Sequence, residues 1–243
     1  PLWRGGWFFF FLCCFFFFVF LFTKAWGCPW FFFCWRYFWF FRNPDRTPPP
    51  GSAIVSPADG TVVYVKQLEK NADVVLVKKG LGAHIKDLIH EDLEFPKIVI
   101  GIFMSPFNVH YNRAPLSGHI ESIRHYPARR NVWMLPMHLR TILKKRPLYK
   151  DSLHILYNER TVTKLNGIFR GIPVPCYLVQ IAGKRVNRIE SYLQEGDYIQ
   201  RGTIFGLIRM GSQVDLVVRH VIGMQVRVKP GDKVRAGETV LIE

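Results

Sequence analysis

The chain has 243 residues, 49% of them apolar, enough for one large domain or two small ones around a sizeable core. Its formal net charge of +15 asks for an anionic partner, and the crowding of Phe and Trp into the first forty or so residues favours a membrane surface over nucleic acid. The five cysteines, Cys13, Cys14, Cys28, Cys34 and Cys176, show no metal-ligand spacing. They are expected to be small hydrophobes in a reducing compartment, which sets aside a disulfide scaffold and a metal centre.

Residues 8–22 form an uninterrupted apolar run. As a helix it would reach about 22 Å, short of the roughly 30 Å of a hydrocarbon core. A second apolar run, residues 30–41, follows a break at Gly27-Cys28-Pro29 and is interrupted only by Arg36, a side chain able to snorkel. Two short segments around a Gly/Pro break predict a helical hairpin or a re-entrant anchor over residues 1–42. Arg4 before it and Arg42 and Arg46 after it put both flanks, and the domain that follows, on the cytoplasmic side of the cell membrane. A cleaved signal peptide fits less well, because no small-residue cleavage site follows the first run.

Residues 43–52 are a linker, where Pro44, Pro48, Pro49 and Pro50 forbid helix and favour an extended chain. From residue 53 the pattern is β. Ser56-Pro57-Ala58-Asp59-Gly60 is a turn, and strands are predicted over residues 61–65, 74–77, 98–104 and 116–123. A polar loop between Pro106 and Pro115 separates the last two. Residues 127–150 are basic and irregular, with Trp133, Met134, Leu135 and Met137 interleaved. Both a solvated loop and a membrane-facing loop fit them. Further strands are predicted over residues 153–157, 162–165 and 177–181.

Near the C-terminus the chain echoes itself. Glu195-Gly196-Asp197 and Pro230-Gly231-Asp232 each lead, after four further residues, to Gly202 and Gly237 and then to a β run. These turns are similar to those of lipoyl- and biotinyl-type barrel-sandwich domains. Between them lies Ile208-Arg209-Met210-Gly211-Ser212-Gln213-Val214-Asp215. Glycine opens backbone conformations closed to other residues, and in a strained turn the Ser212 hydroxyl can attack the Gly211 carbonyl. Alone, a Gly-Ser pair is most often a plain turn.

The landmarks in order resemble the short form of the phosphatidylserine decarboxylases, a pyruvoyl-dependent family. They are Phe40-Phe41-Arg42-Asn43-Pro44-Asp45-Arg46 and Ser56-Pro57-Ala58-Asp59-Gly60, then Asn108-Val109-His110-Tyr111-Asn112-Arg113-Ala114-Pro115. Asn158-Glu159-Arg160, Gln180-Ile181-Ala182-Gly183 and the segment from Phe205 to Asp215 follow. No one of these motifs is specific; their order and joint presence are.

The resemblance implies a mainly β, barrel-sandwich-like catalytic domain over residues 53–243, behind the membrane anchor. It also implies self-cleavage between Gly211 and Ser212 into a β chain, 1–211, and an α chain, 212–243. These stay together as a heterodimer, with further oligomerisation left open. Ser212 becomes a pyruvoyl group whose ketone draws electrons from phosphatidylserine as carbon dioxide leaves; no metal is needed. The resemblance makes Asp59 and His110 the acid–base partners of Ser212. Arg113 stands where the long form has its relay histidine, so that triad does not transfer intact. Turn-capping carboxylate and structural loop histidine are the plainer readings of Asp59 and His110. Arg113, Arg185 and Arg188 are candidates for holding the substrate's phosphate or carboxylate. Archaetidylserine is the alternative substrate. A lipoyl-like carrier fits less well, because such domains present a Lys where this chain has Met210-Gly211-Ser212. A non-catalytic membrane adaptor is the remaining alternative.

Overall fold

The computed structural model describes residues 33–69, 74–78, 81–91, 93, 95–128, 131–184, 189–209 and 212–243. The chain divides into two compact units, Pro1–Pro44 and Asp45–Glu243. In the first, a π-helix spans Trp35–Phe40. Arg42 closes it, its Nη1 donating to the Trp39 carbonyl at 2.7 Å while its guanidinium lies 4.3 Å from the Trp39 ring centre. Most of the anchor expected over residues 1–42 lies outside the described residues. No helix among the described residues is long and apolar enough to cross a membrane.

The second unit is mainly β. Its strands are β1 (Ile54–Val55), β2 (Gly60–Leu68), β3 (Val74–Lys78), β4 (Leu81–His84), β5 (Lys97–Met104), β6 (Tyr111–Arg113), β7 (Gly118–Tyr126), β8 (Arg160–Phe169), β9 (Ile172–Ala182), β10 (Ile189–Ser191), β11 (Tyr198–Ile199), β12 (Ile204–Ile208), β13 (Ser212–Arg219), β14 (Lys233–Val234) and β15 (Val240–Ile242). Eight of them form one curled, half-barrel sheet in the order β11-β7-β8-β9-β13-β5-β2-β14.

The centre of that sheet follows from composition. β5 is apolar after Lys97 and buried at every position, and β13 is buried from Ser212 to Val218 although Gln213 and Asp215 interrupt its apolar residues; both are covered on both faces. Alternate residues feed two cores. Ile98, Ile100, Ile102 and Met104 join Val214, Leu216 and Val218 on one face, under the β1–β15 pair and Phe205 and Ile208 of β12. Val99, Phe103 and Val217 face the other core, covered by helices α1 (Ile85–Ile89), α2 (Leu135–Ile142) and α3 (His154–Tyr157).

Two of these helices differ from the sequence-based expectation. Residues 153–157, predicted as a strand, fold as α3, and the irregular basic stretch contains α2. A five-residue apolar run has no period that separates strand from helical turn. The α2 start is set by Pro136 in its first turn, where the missing N–H costs nothing.

The two echoing turns sit at opposite edges of the sheet. β11 pairs with β7 (Tyr198 opposite His119), and β14 pairs with β2 (Lys233 opposite Thr61). Their hydrogen bonds match. Gly196 N–H donates to the Ile120 carbonyl at 2.8 Å, and Gly231 N–H to the Val62 carbonyl at 2.7 Å. Asp197 and Asp232 each accept a backbone N–H from three residues earlier, at 2.7 and 2.9 Å. Gly202 N–H donates to Ala114 and Gly237 N–H to Ser56, both at 2.8 Å. The repeat therefore reaches further than the turns: Ser56-Pro57-Ala58-Asp59-Gly60 and Ala114-Pro115-Leu116-Ser117-Gly118 are its second pair of matching segments.

Candidate active site

Ser212 opens β13, fully buried, between Met104 of β5 and Ala182 of β9. Its hydroxyl donates to the Met104 sulfur at 3.3 Å. The same sulfur receives Asn112 Nδ2 at 3.7 Å, and Asn112 Oδ1 accepts from Gln180 Nε2 at 2.8 Å. All four side chains are buried. Gly206 makes room for the Gln180 amide, since a Cβ there would stand 3.1 Å from Gln180 Nε2 and 2.4 Å from the Glu190 carbonyl oxygen. The pocket fits a carbonyl-bearing group at position 212. A thioether is a weak acceptor, so Asn112 Nδ2 has donor capacity to spare for a carbonyl oxygen there.

His110 stands two residues before Asn112. The loop that carries it is locked by Asn108, whose Oδ1 accepts from Ser105 N–H at 2.9 Å and Ser105 Oγ at 2.7 Å. His110 is buried, with Nδ1 2.9 Å from the Asn108 carbonyl oxygen. A carbonyl only accepts, so this contact assigns the proton to Nδ1 and makes Nε2 the basic nitrogen. The His110 carbonyl accepts from Ile208 N–H at 3.4 Å, which ties this loop to the segment running into residue 211.

Asp59 is engaged elsewhere. Its Oδ1 accepts from Ala236 N–H at 2.7 Å, and its Oδ2 pairs with Arg46 at 3.0 Å in a largely buried salt bridge. Arg46 also reaches Glu238 at 3.1 Å. Thr61 lies opposite Phe103, and Phe103 opposite Gln213. Asp59 is thus about two strand spacings, roughly 10 Å, from the start of β13. Among the described residues no hydrogen bond joins Ser212 to Asp59 or to His110.

Arg113 keeps company with Asp59. Its Nη1 donates to the Gly202 carbonyl at 2.9 Å, and burial together with the nearby Arg46 charge lowers its pKa. With Arg46 and Arg201 it lines a cavity of about 720 Å³ under the Pro-rich segment. Gly211, Arg185 and Arg188 lie outside the described residues. Among the described residues no cluster of His, Cys, Asp and Glu is placed to hold a metal ion.

Directly behind Ser212, on the helix-covered face of the sheet, is a polar group that the sequence reading missed. Gln213 is its hub. Its Nε2 donates to Asp215 Oδ1 at 2.7 Å and to the Tyr64 hydroxyl at 3.2 Å, and its Oε1 accepts from His154 Nε2 at 2.8 Å. Gly101 stands between Tyr64 and Asp215 on the intervening strand. Tyr64 crosses over it: a Cβ on Gly101 would fall 2.5 Å from the Tyr64 ring. Burial raises the Asp215 pKa to about 7, against the Gln213 and Tyr64 hydrogen bonds and the Arg160 charge, which lower it. Burial lowers His154 to about 4. The available signal was the placing of Gln180, Gln213 and Asp215 inside otherwise apolar strands.

The matches to known proteins agree with this geometry. The family model described as phosphatidylserine decarboxylase matches residues 33–242. A Pelobacter propionicus protein named phosphatidylserine decarboxylase proenzyme is 37% identical, covering 84% of this chain and 74% of the relative. A Geotalea uraniireducens protein of the same name is 36% identical over 83% and 76%. A Methanopyrus kandleri protein, named putative archaetidylserine decarboxylase proenzyme, is 36% identical over 84% and 79%. With a match along nearly all of the described fold, the chain belongs to the phosphatidylserine decarboxylase family.

Proposed function

We propose that this chain is a self-processing, pyruvoyl-dependent carboxy-lyase that converts phosphatidylserine to phosphatidylethanolamine. The observation behind this reading is a buried serine, next after a glycine, held at the start of a central strand against Met104, Asn112 and Gln180.

Self-cleavage begins when His110 Nε2 takes the Ser212 hydroxyl proton and Oγ bonds to the Gly211 carbonyl carbon. The Gly211–Ser212 C–N bond breaks and the proton returns to the freed nitrogen, leaving an ester. Loss of the Ser212 Cα proton expels the Gly211 carboxylate. The resulting enamine tautomerises, takes up water and releases ammonia. Asn112 Nδ2 is the donor we assign to the oxygen that gains charge in the first step. Asp59 contributes by fixing the turn at Ala236 and the Arg46 side chain. The pyruvoyl ketone supplies an electron sink for the substrate carbon that loses carbon dioxide. Arg185 and Arg188 shortly follow the end of β9 that pairs with Ser212 and are the headgroup contacts we favour; Arg113, on the far cavity, is the weaker candidate.

The cut leaves the domain intact, because β13 is hydrogen-bonded along its length to β5 and β9, and β14 and β15 pair with β2 and β1. We read the domain as a barrel-sandwich of the lipoyl type on the matching edge turns, acting at a membrane from the cytoplasmic side. Archaetidylserine is the second reading, favoured by the name of the Methanopyrus relative. Offering both lipids in vesicles and measuring the decarboxylated product tests the assignment. Turnover of phosphatidylserine supports it, turnover of archaetidylserine alone selects the second reading, and turnover of neither rejects both.

A further inference from the structure

Helix α2 is turned the wrong way for a soluble domain. Its buried side is Met137, next to buried Met134. Leu135, Leu139, Ile142 and Leu143, which fall on one helical face at the i, i+4, i+7, i+8 spacing, are 48–62% exposed, and Trp133 is 51% exposed. A helix apolar on both sides has one side meant for something other than its own core. Lys144, Lys145 and Arg146 follow the ridge at once, all exposed. Lys184 lies 4.7 Å from the Trp133 ring centre. Apolar side chains flanked by cations are the pattern of a segment lying in the interface of an anionic bilayer.

The position of the ridge is as telling as its composition. Asn158 is buried, and its Nδ2 donates both to the Ala182 carbonyl at 2.6 Å and to the Val132 carbonyl at 3.0 Å, while its Oδ1 accepts from Val132 N–H at 2.8 Å. Ala182 is the strand partner of Ser212, and Val132 directly precedes Trp133. At the other side of the helix, His138 meets the Phe103 ring edge-on at 5.8 Å, one residue from Met104. Phe107, on the turn just beyond Met104, is 63% exposed. Trp133, the start of α2 and Phe107 thus lie at the Ser212 end of the sheet.

We infer that the ridge of residues 133–143, with Lys144, Lys145, Arg146 and Lys184, is the surface by which the β domain docks on an anionic lipid bilayer, holding the Ser212 end of the sheet against the headgroups. This deepens the function proposed above, on whose lipid substrate it rests, and it is tested by a readout that needs no turnover. Hydrogen–deuterium exchange is measured on the full chain with vesicles of phosphatidylcholine alone and with vesicles containing phosphatidylglycerol. The expected result is slowed exchange over residues 132–146 on the anionic vesicles, abolished in the combined Leu135→Ser, Leu139→Ser, Ile142→Ser variant and weakened in Lys144→Glu, Lys145→Glu. Equal exchange on both kinds of vesicle overturns the inference. So does protection that grows with protein concentration without vesicles, the sign of a second copy on the ridge. In parallel, the rate on vesicular phosphatidylserine is divided by the rate on a monomeric short-chain form. Replacing three apolar side chains that enter the bilayer lowers that ratio by about tenfold or more; an unchanged ratio counts against docking. Turnover of neither lipid rejects the decarboxylase assignment and leaves the exchange result to decide the surface.

Discussion

Asp59 and Ser117 hold equivalent places in the internal repeat. Asp59 Oδ1 accepts from Ala236 N–H at 2.7 Å, and Ser117 Oγ accepts from Arg201 N–H at 2.9 Å, each just before a glycine of positive φ, Gly237 or Gly202. The side chain of the Pro-x-x-Gly turn is therefore a backbone cap in both halves of the fold, and only Asp59 adds an ion pair, with Arg46.

Asp59→Asn keeps an acceptor for Ala236 and removes the charge opposite Arg46. Arg46 retains Glu238, so the expected cost is about 1–3 kcal/mol of stability, with self-cleavage slowed several-fold and not abolished. Thermal melting and a time course of cleavage on gels check this together. Abolished cleavage at an unchanged melting temperature would give Asp59 a direct part in the chemistry.

His110→Ala removes the nitrogen assigned to take the Ser212 proton. Cleavage is expected to slow by about a hundredfold or more. The hydrogen bond to the Asn108 carbonyl that is lost with the imidazole is worth about 1 kcal/mol, and thermal melting of the variant separates the total cost in stability from the loss of cleavage. A variant that cleaves at the normal rate removes His110 from the mechanism.

The group behind Ser212 makes a prediction with two opposite signs. His154, lowered from 6.5 to about 4, binds its proton more readily in the unfolded chain, so its contribution to stability is full above pH 6.5 and falls as the pH drops to about 4. Asp215, raised from 3.8 to about 7, binds its proton more readily in the folded chain, so its contribution is full below pH 3.8 and falls as the pH rises to about 7. Between about pH 4 and 6.5 the slopes oppose each other, each of the order of 1 kcal/mol per pH unit. Melting curves of the uncleaved Ser212→Ala protein should therefore vary little from these two groups. Adding Asp215→Asn should expose a loss of stability on acidification across that window. If that variant shows the same pH profile as its parent, His154 is not held neutral by its burial.

Gly101→Ala places a methyl group into the Tyr64 ring. The ring must move, at an expected cost of about 1–3 kcal/mol, and its hydrogen bond from Gln213 breaks as it does. Denaturant unfolding measures the first. A substitution without effect on stability would mean that the ring has room that the close approach at Gly101 denies.

The central strand β5 and both edge turns were legible in the sequence, because an unbroken apolar run and Gly-Asp turns have few other solutions; β13 showed only as the alternation of Val214, Leu216 and Val218. Ser212 was singled out in the sequence by the order of motifs around it. The partners of Ser212 were not, because Met104 and Gln180 reach it only through the register of β5 and β9 with β13, and Asn112 comes from a second sheet that packs beside it. The same holds for His154, whose neighbour Gln213 is 59 residues away. The exposed ridge of α2 was visible as apolar residues among basic ones, but sequence alone does not say which face of a helix the core takes.

The central claim is that the chain cuts itself before Ser212 and leaves a pyruvoyl group there. Intact-mass measurement of purified, active full-length protein tests it most directly. The account predicts a C-terminal fragment beginning at residue 212, lighter by the mass of ammonia than the same fragment with an N-terminal serine. Active protein made only of uncut chain, or of a fragment that still begins with serine, would contradict it.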